Sequence, residues 1–222
     1  MRRVFSCLVA VLLAGASGAA AQQSVIPEVE GPLPPPAQPL PRVPEAAPPA
    51  AGPATTETSP ENAQGRLDKL FSDLKRERNE RAAERIANFI REEWSRSGSA
   101  SIDLLMQWSA KAVQEKKFDA ALDFLDQVTM LAPGFAEGWN RRATVHYMMD
   151  SYAKSMSDIE HTLRLEPRHF GALAGMAEIF RIYGRKQAAL DAYTRVLRVY
   201  PMLRSAQEQV GTLADELAGQ GI

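Results

Sequence analysis

Pro133, Pro167 and Pro201 stand 34 residues apart. A fixed period of that length restricts a chain to a stack of near-identical units. Other columns keep the same ruler. Small residues recur at Ser109, Ala143 and Ala177, and again at Ala121, Ser155 and Ala189. Large ones recur at Leu105, Trp139 and Leu173, at Leu125, Ile159 and Tyr193, and at Leu131, Leu165 and Val199. Each unit divides into two runs around a short break, as in residues 136–149, the break at Asp150 and Ser151, and residues 152–165. Apolar residues within the runs fall at helical spacing, for example Leu122, Leu125, Val128 and Leu131. Asp119, Ser151 and Gly184 sit at or near the breaks, where caps and turns belong. The small columns mark close approach of two helices. Each proline follows the second helix of its unit, because proline cannot continue one.

The remaining prolines belong to a different kind of chain. Of 15 in all, 12 lie between residues 22 and 65, a stretch with no aromatic residue and a net charge of −4. Such a segment has too little apolar surface to offset its ordering entropy, so a disordered linker is expected there. A spacer role outweighs its PxxP matches, such as Pro32 to Pro35. Ahead of it, Arg2 and Arg3 precede an apolar run from Val4 to Leu13 and the small residues Ala19, Ala20 and Ala21. This is the layout of a secretory signal peptide over residues 1–21, cleaved after Ala21. The pattern leaves the export route open between general secretion and twin-arginine export. An uncleaved membrane anchor is the lesser reading, since the apolar run is short for a span. The single cysteine, Cys7, falls inside that segment, so the mature chain would hold none.

The repeat has ends to be covered. Leu203, Ala206, Val210, Leu213 and Leu217 form one stripe, with Gln207, Glu208, Thr212, Asp215 and Glu216 opposite. A C-terminal capping helix with its tail is expected over residues 204–222. Upstream, Leu67, Leu70, Phe71 and Leu74, then Ile86, Phe89, Ile90 and Trp94, make two further stripes. A degenerate helix pair over residues 66–101 is expected to cap the other end. Its basic residues Lys75, Arg76, Arg78, Arg81 and Arg85 alternate with glutamates and read as a solvated face. From Arg66 onward 23 basic residues meet 22 acidic ones, which leaves no field for nucleic acid.

Residues 102–203 resemble three tetratricopeptide repeats (TPRs), with units 102–135, 136–169 and 170–203. The resemblance implies an all-α helical-repeat solenoid of antiparallel helix pairs with a concave groove. Several positions depart from the family pattern. Arg142 stands where leucine is usual, and His146 stands where a bulky apolar residue is usual. Val128, Thr162 and Val196 fill a column that is usually alanine. Family groove positions carried onto this chain select Met106, Gln107, Asn140, Arg141, Thr144, Tyr147, Met148, Glu178 and Arg181 as a peptide-binding surface. In the third unit the same columns also hold Gly171, Ala174 and Gly175. Arg141 and Arg181 are the groups suited to a carboxylate. The family's dicarboxylate clamp is disfavoured, because its positions hold Met106, Ala110, Arg141, Gly171 and Gly175, with a single cation among them.

Catalytic signals are missing. His146, His161 and His169 match no zinc spacing; His146 reads as structural and the other two as surface or loop residues. Gly171 and Gly175 read as close packing or an open groove rather than a membrane dimer motif. No cofactor, metal or catalytic residue is expected. The expectation is a non-enzymatic protein–protein interaction module or scaffold in the bacterial cell envelope, most simply periplasmic. It would bind a peptide or helix of another protein, without nucleic acid and without a stable membrane span after cleavage. A periplasmic chaperone or assembly factor is the first alternative and a self-assembling solenoid the second. A monomer is favoured.

Overall fold

The computed structural model describes residues 60–219. The leader expected over residues 1–21, most of the linker expected over residues 22–65 and the last three residues lie outside them. The described chain is all helix and turn. In order come α1 (Pro60–Arg76), α2 (Glu80–Ser95), α3 (Ala100–Gln114), α4 (Phe118–Leu131), α5 (Ala136–Met148), α6 (Tyr152–Leu165), α7 (Phe170–Ile182), α8 (Lys186–Val199) and α9 (Arg204–Gly219). Helix α1 begins six residues ahead of the expected boundary at Arg66. Proline at the first helical position costs no hydrogen bond, so Pro60 opens the helix rather than ending the linker.

The three central pairs, α3–α4, α5–α6 and α7–α8, form the tightest contacts, and α4–α5, α6–α7 and α8–α9 stack one unit on the next. The repeat reaches down to single hydrogen bonds. Lys116, Asp150 and Gly184 all have left-handed backbones, with φ of 58°, 55° and 67°, at the same place in each unit. One residue later, Lys117 donates its N–H to the carbonyl of Ala112, Ser151 to that of His146, and Arg185 to that of Phe180. These are three copies of the C-terminal turn that satisfies orphan carbonyls of the first helix. At the proline turns, Ala132, Glu166 and Tyr200 each donate to the residue four back, Val128, Thr162 and Val196.

The column of Val128, Thr162 and Val196 is fully buried in all three units. In the first unit its bulk is accommodated ten residues on, at Gly138; Ala172 and Ala206 hold the same place in the other two, and all three are buried. A Cβ added at Gly138 would stand 2.7 Å from Val128 Cγ1, closer than carbon atoms pack. Small residues there let α5 and α4 meet despite a larger residue in the usual alanine column.

The two ends are unlike. Helix α9 buries Ala206 and Leu213 and keeps its charged side in water, as a cap should. The α1–α2 pair does not close the α3 end as expected. Its Phe71, Leu74, Ala83, Ala87, Ile90 and Trp94 share one core with Phe170, Leu173, Tyr193, Tyr200 and Leu213. Trp94 packs 5.0 Å from Phe170, ring centre to ring centre. Arg168 pairs with Asp68 at 2.7 Å and lies over the Phe71 ring, and Arg204 pairs with Glu80 at 3.1 Å. His169 and Phe170, which pair with Trp94, sit at the start of α7, and Tyr200, which packs on Phe170, follows α8, so the helix pair folds back to that region. Leu104 and Trp108 on α3 are consequently left 42% and 46% exposed.

The close approach at Gly138 gives a signed expectation. Gly138→Ala gains about 1 kcal/mol of helix propensity but overpacks Val128 by about 1–3 kcal/mol. Urea melts should show it destabilising in the parent chain and stabilising in a Val128→Ala background. Equal effects in both backgrounds would disprove the contact.

Candidate functional site

Two hollows lie along the first helices of the units. The more enclosed, of about 230 Å³, lies between α5 and α7. Asn140, Thr144 and Tyr147 form one wall, Gly171, Ala174, Gly175 and Glu178 the other, and Ala143, Ser155, Ile159 and Ala172 the floor. The hollow exists because α7 is almost without side chains there. Gly171, Ala174 and Gly175 occupy the columns that hold Glu137, Asn140 and Arg141 in α5 and Asp103, Met106 and Gln107 in α3. The second hollow, about 340 Å³, lies where the C-terminal end of α2 meets α3 and α5, between Ser95, Arg96, Asp103, Met106, Gln107, Ala110 and Arg141.

The nine expected groove residues therefore divide. Asn140, Thr144, Tyr147 and Glu178 line the first hollow. Met106, Gln107 and Arg141 line the second, with Met106 itself buried. Met148 and Arg181 line neither and are exposed. The two arginines suited to an incoming carboxylate are each held by a glutamate of the same helix. Arg141 Nε donates to Glu137 at 2.6 Å, and Arg181 pairs with Glu178 at 2.9 Å. Glu178 also accepts the Tyr193 hydroxyl. Burial and that hydrogen bond push the Tyr193 phenol well above its ordinary value.

His169 is not the surface or loop residue expected. It is 2% exposed and sits at the N-cap of α7. Its Nδ1 accepts the Ala172 N–H at 3.1 Å, which leaves the proton on Nε2, and Nε2 donates to Glu137 at 3.2 Å. The Trp94 ring stacks on it at 4.0 Å and 9°. Burial alone would raise the Glu137 carboxyl. The His169 hydrogen bond and the Arg141 charge overrule it and hold the group below the ordinary carboxylate value. The sequence signal was positional: His169 stands just ahead of a helix start. His161 is half-buried and stacks on Trp139 at 3.8 Å.

A second polar node replaces apolar packing. Arg142 grips Asp158 through two hydrogen bonds of 2.8 Å and reaches Asp126 and Thr129 on α4. The Asp158 hydrogen bond is the main reason its guanidinium is held above the ordinary value. Arg142 and Asp158 break their columns together, Asp158 standing where Phe124 and Ala192 stand in the other units. His146 is buried, 4.0 Å from Asp158, and burial pushes its imidazole below the ordinary 6.5. Among the described residues no group of three or more His, Cys, Asp and Glu could hold a metal, and no helix is long and apolar enough to cross a membrane.

Two measurements follow from these nodes. Asp158→Ala removes the buried partner of Arg142, leaves it the exposed Asp126, and should cost about 3 kcal/mol in a denaturant melt, whereas Arg142→Leu with Asp158→Ala should recover most of it. A double variant as unstable as the single one would contradict the pairing. For pH, the lowered His146 means that the unfolded chain takes up a proton where the folded one does not. Stability should therefore fall as pH drops below about 6.5. Glu137 contributes fully above about 4.5 and loses its share as pH falls through its lower folded value. His146→Gln should flatten the profile just below about pH 6.5 and leave the acid limb in place; an unchanged upper limb would refute the assignment.

No family profile matches the chain. A TPR repeat-containing protein of Rhizobium etli is 60% identical over 154 residues, covering 69% of this chain and 76% of that protein. A small glutamine-rich tetratricopeptide repeat-containing protein of Saccharomyces cerevisiae is 25% identical over 117 residues, 53% of this chain and 34% of the yeast protein. Among solved structures, the first TPR domain of Spaghetti (RPAP3), bound to an HSP90 peptide of sequence SRMEEVD, superposes with a TM-score of 0.52 at 20% identity. It covers 54% of this chain and 95% of that one. The TPR domain of Sgt2 from Aspergillus fumigatus gives 0.51 at 16% identity, over 55% and 83%. With its 34-residue columns, three matching turns and a relative 60% identical over most of its length, the chain belongs to the tetratricopeptide repeat family.

Proposed function

We propose that this protein is a non-enzymatic interaction module that holds a peptide or helix of another protein in the groove along α3, α5 and α7. The observation that carries the reading is the preformed hollow between α5 and α7, which four of the nine expected groove residues line. A rigid concave surface needs little ordering on binding, which favours affinity. The HSP90 peptide held by the Spaghetti domain supports peptide binding as a use of this fold. The acidic end of that peptide is a poor guide to the ligand here, since Arg141 and Arg181 are already paired. The proposed setting is the bacterial cell envelope. It rests on the leader pattern of Arg2, Arg3, the apolar run and Ala19 to Ala21.

A chaperone-like reading draws on one further observation. Met148, Met149, Ile182 and Tyr183 leave an exposed apolar patch at the turns between helices. Flexible methionines suit varied clients. In-cell crosslinking from a photoreactive residue at Tyr147, with Glu208 on the outer side of α9 as control, separates the readings. The module predicts one abundant partner captured at Tyr147 and none at Glu208. Many clients at Tyr147 would favour the chaperone. Capture confined to Glu208 would overturn the groove.

A further inference from the structure

We infer that the hollow between α5 and α7 is an anchor pocket for one aromatic or long aliphatic side chain of the bound segment. Partners are then selected by an apolar residue and not by an acidic tail. The inference rests on the groove reading above.

Size comes first. An apolar cavity of about 150 Å³ suffices to hold benzene. The hollow here is about 230 Å³, room for a phenyl ring and its methylene. Its floor is Ala143, Ser155, Ile159 and Ala172, all at most 3% exposed, and the Ser155 hydroxyl is already donated to the Ala143 carbonyl. The small residues of α7 keep it open. A Cβ at Gly175 would already stand 3.3 Å from Ile159 Cδ1, so any larger residue there would occupy the space.

Charge comes second. At the mouth, Glu178 is taken by Arg181 and the Tyr193 hydroxyl, and Asn140 donates its amide to Glu137 at 3.0 Å. Arg141 is spent on the same glutamate. An entering carboxylate would shed its water beside Glu178 and find no unpaired cation in the hollow, which is costly. An apolar side chain faces no such cost. Aromatic surface continues outward from the mouth. Tyr147 meets Tyr152 edge-on at 5.5 Å, and Tyr152 meets Tyr183 at 6.0 Å. That run gives flanking residues of the ligand a surface to lie on.

The test uses the full chain with labelled isoleucine and alanine methyl groups. Three probes are titrated by NMR: toluene, a twelve-residue Gly/Ser/Thr peptide with one central Phe, and the same peptide with Glu in its place. Toluene should shift the Ile159 methyl in a saturable way. The Phe peptide should bind at least tenfold more tightly than the Glu peptide, as burial of one aromatic side chain requires. Thr144→Trp and Ala174→Leu each fill the hollow from opposite walls. Either should weaken the Phe peptide tenfold or more with the melting temperature nearly unchanged. A Phe peptide that binds equally well to a folded, filled variant overturns the proposal. So does a silent Ile159 methyl, or a toluene response without any preference for Phe. Groove signals that respond equally to both peptides remove the anchor and keep the groove reading, whereas groove signals silent to both peptides remove the two together.

Discussion

A buried carboxylate has to be fully hydrogen-bonded, and Glu137 meets that demand by drawing three parts of the chain together. It accepts from Asn140 and Arg141 on its own helix and from His169 at the start of α7. The last contact ties the start of the second unit to its final residue, the N-cap of α7, so it fixes where α7 begins relative to α5. The width of the hollow between those helices depends on that spacing. His169 is held in turn by the α7 backbone on one ring nitrogen and by Trp94 on its face. Through Trp94 the same carboxylate therefore governs where α2 lies. The Trp94 Nε1 has no hydrogen-bond partner among the described residues, so stacked ring area holds this contact and its own N–H does not.

Arg142 makes an analogous choice between units one and two. Where the family has leucine, a guanidinium on α5 reaches α4 through Asp126 and Thr129 and α6 through Asp158. A buried ion pair adds little net stability over well-packed apolar residues. Its planar fork does impose direction. Bidentate contact with Asp158 fixes the rotation of α5 about its own axis, and rotation decides whether Asn140, Thr144 and Tyr147 face the hollow. The two polar nodes thus act on α5 from different sides: one sets its distance from α7, the other its orientation.

Much of this architecture was legible in the sequence because it is periodic. Columns of small residues, the three prolines and the breaks at residues 150 and 184 report the backbone geometry of each unit, and geometry repeats with the period. The polar nodes do not repeat. Arg142 was visible as a departure, but its partner Asp158 is 16 residues away in another helix. Glu137 and His169 stand 32 residues apart, one unit less two residues, which no column comparison aligns. The helix pair was misplaced for a related reason. A stripe such as Ile86, Ile90 and Trp94 says that a helix buries one face, not which surface it buries it against. The aromatic residues at Phe170 and Tyr200 settled that. The groove residues divided because the column rule gives direction along a helix, whereas a hollow also needs a gap opposite. That gap comes from Gly171, Ala174 and Gly175, whose contribution is missing volume.

The folded-back helix pair also bears on assembly. Arrays of this kind lengthen when the last helix of one copy stacks on the first helix of the next, which needs apolar surfaces at both ends. Here the ends do not match. The α3 end presents Leu104 and Trp108, while the outer side of α9 presents Gln207, Glu208, Thr212, Asp215 and Glu216, all exposed. Joining them would bury the exposed Glu208 and Asp215 carboxylates against indole and aliphatic surface, which costs free energy. End-to-end growth is opposed by that mismatch, whatever the attraction of the open α3 end. For the groove proposed above, selectivity would then come from depth at one point rather than from length. Missing side chains on α7 supply that depth between Thr144 and Gly175, where α5 and α7 face each other.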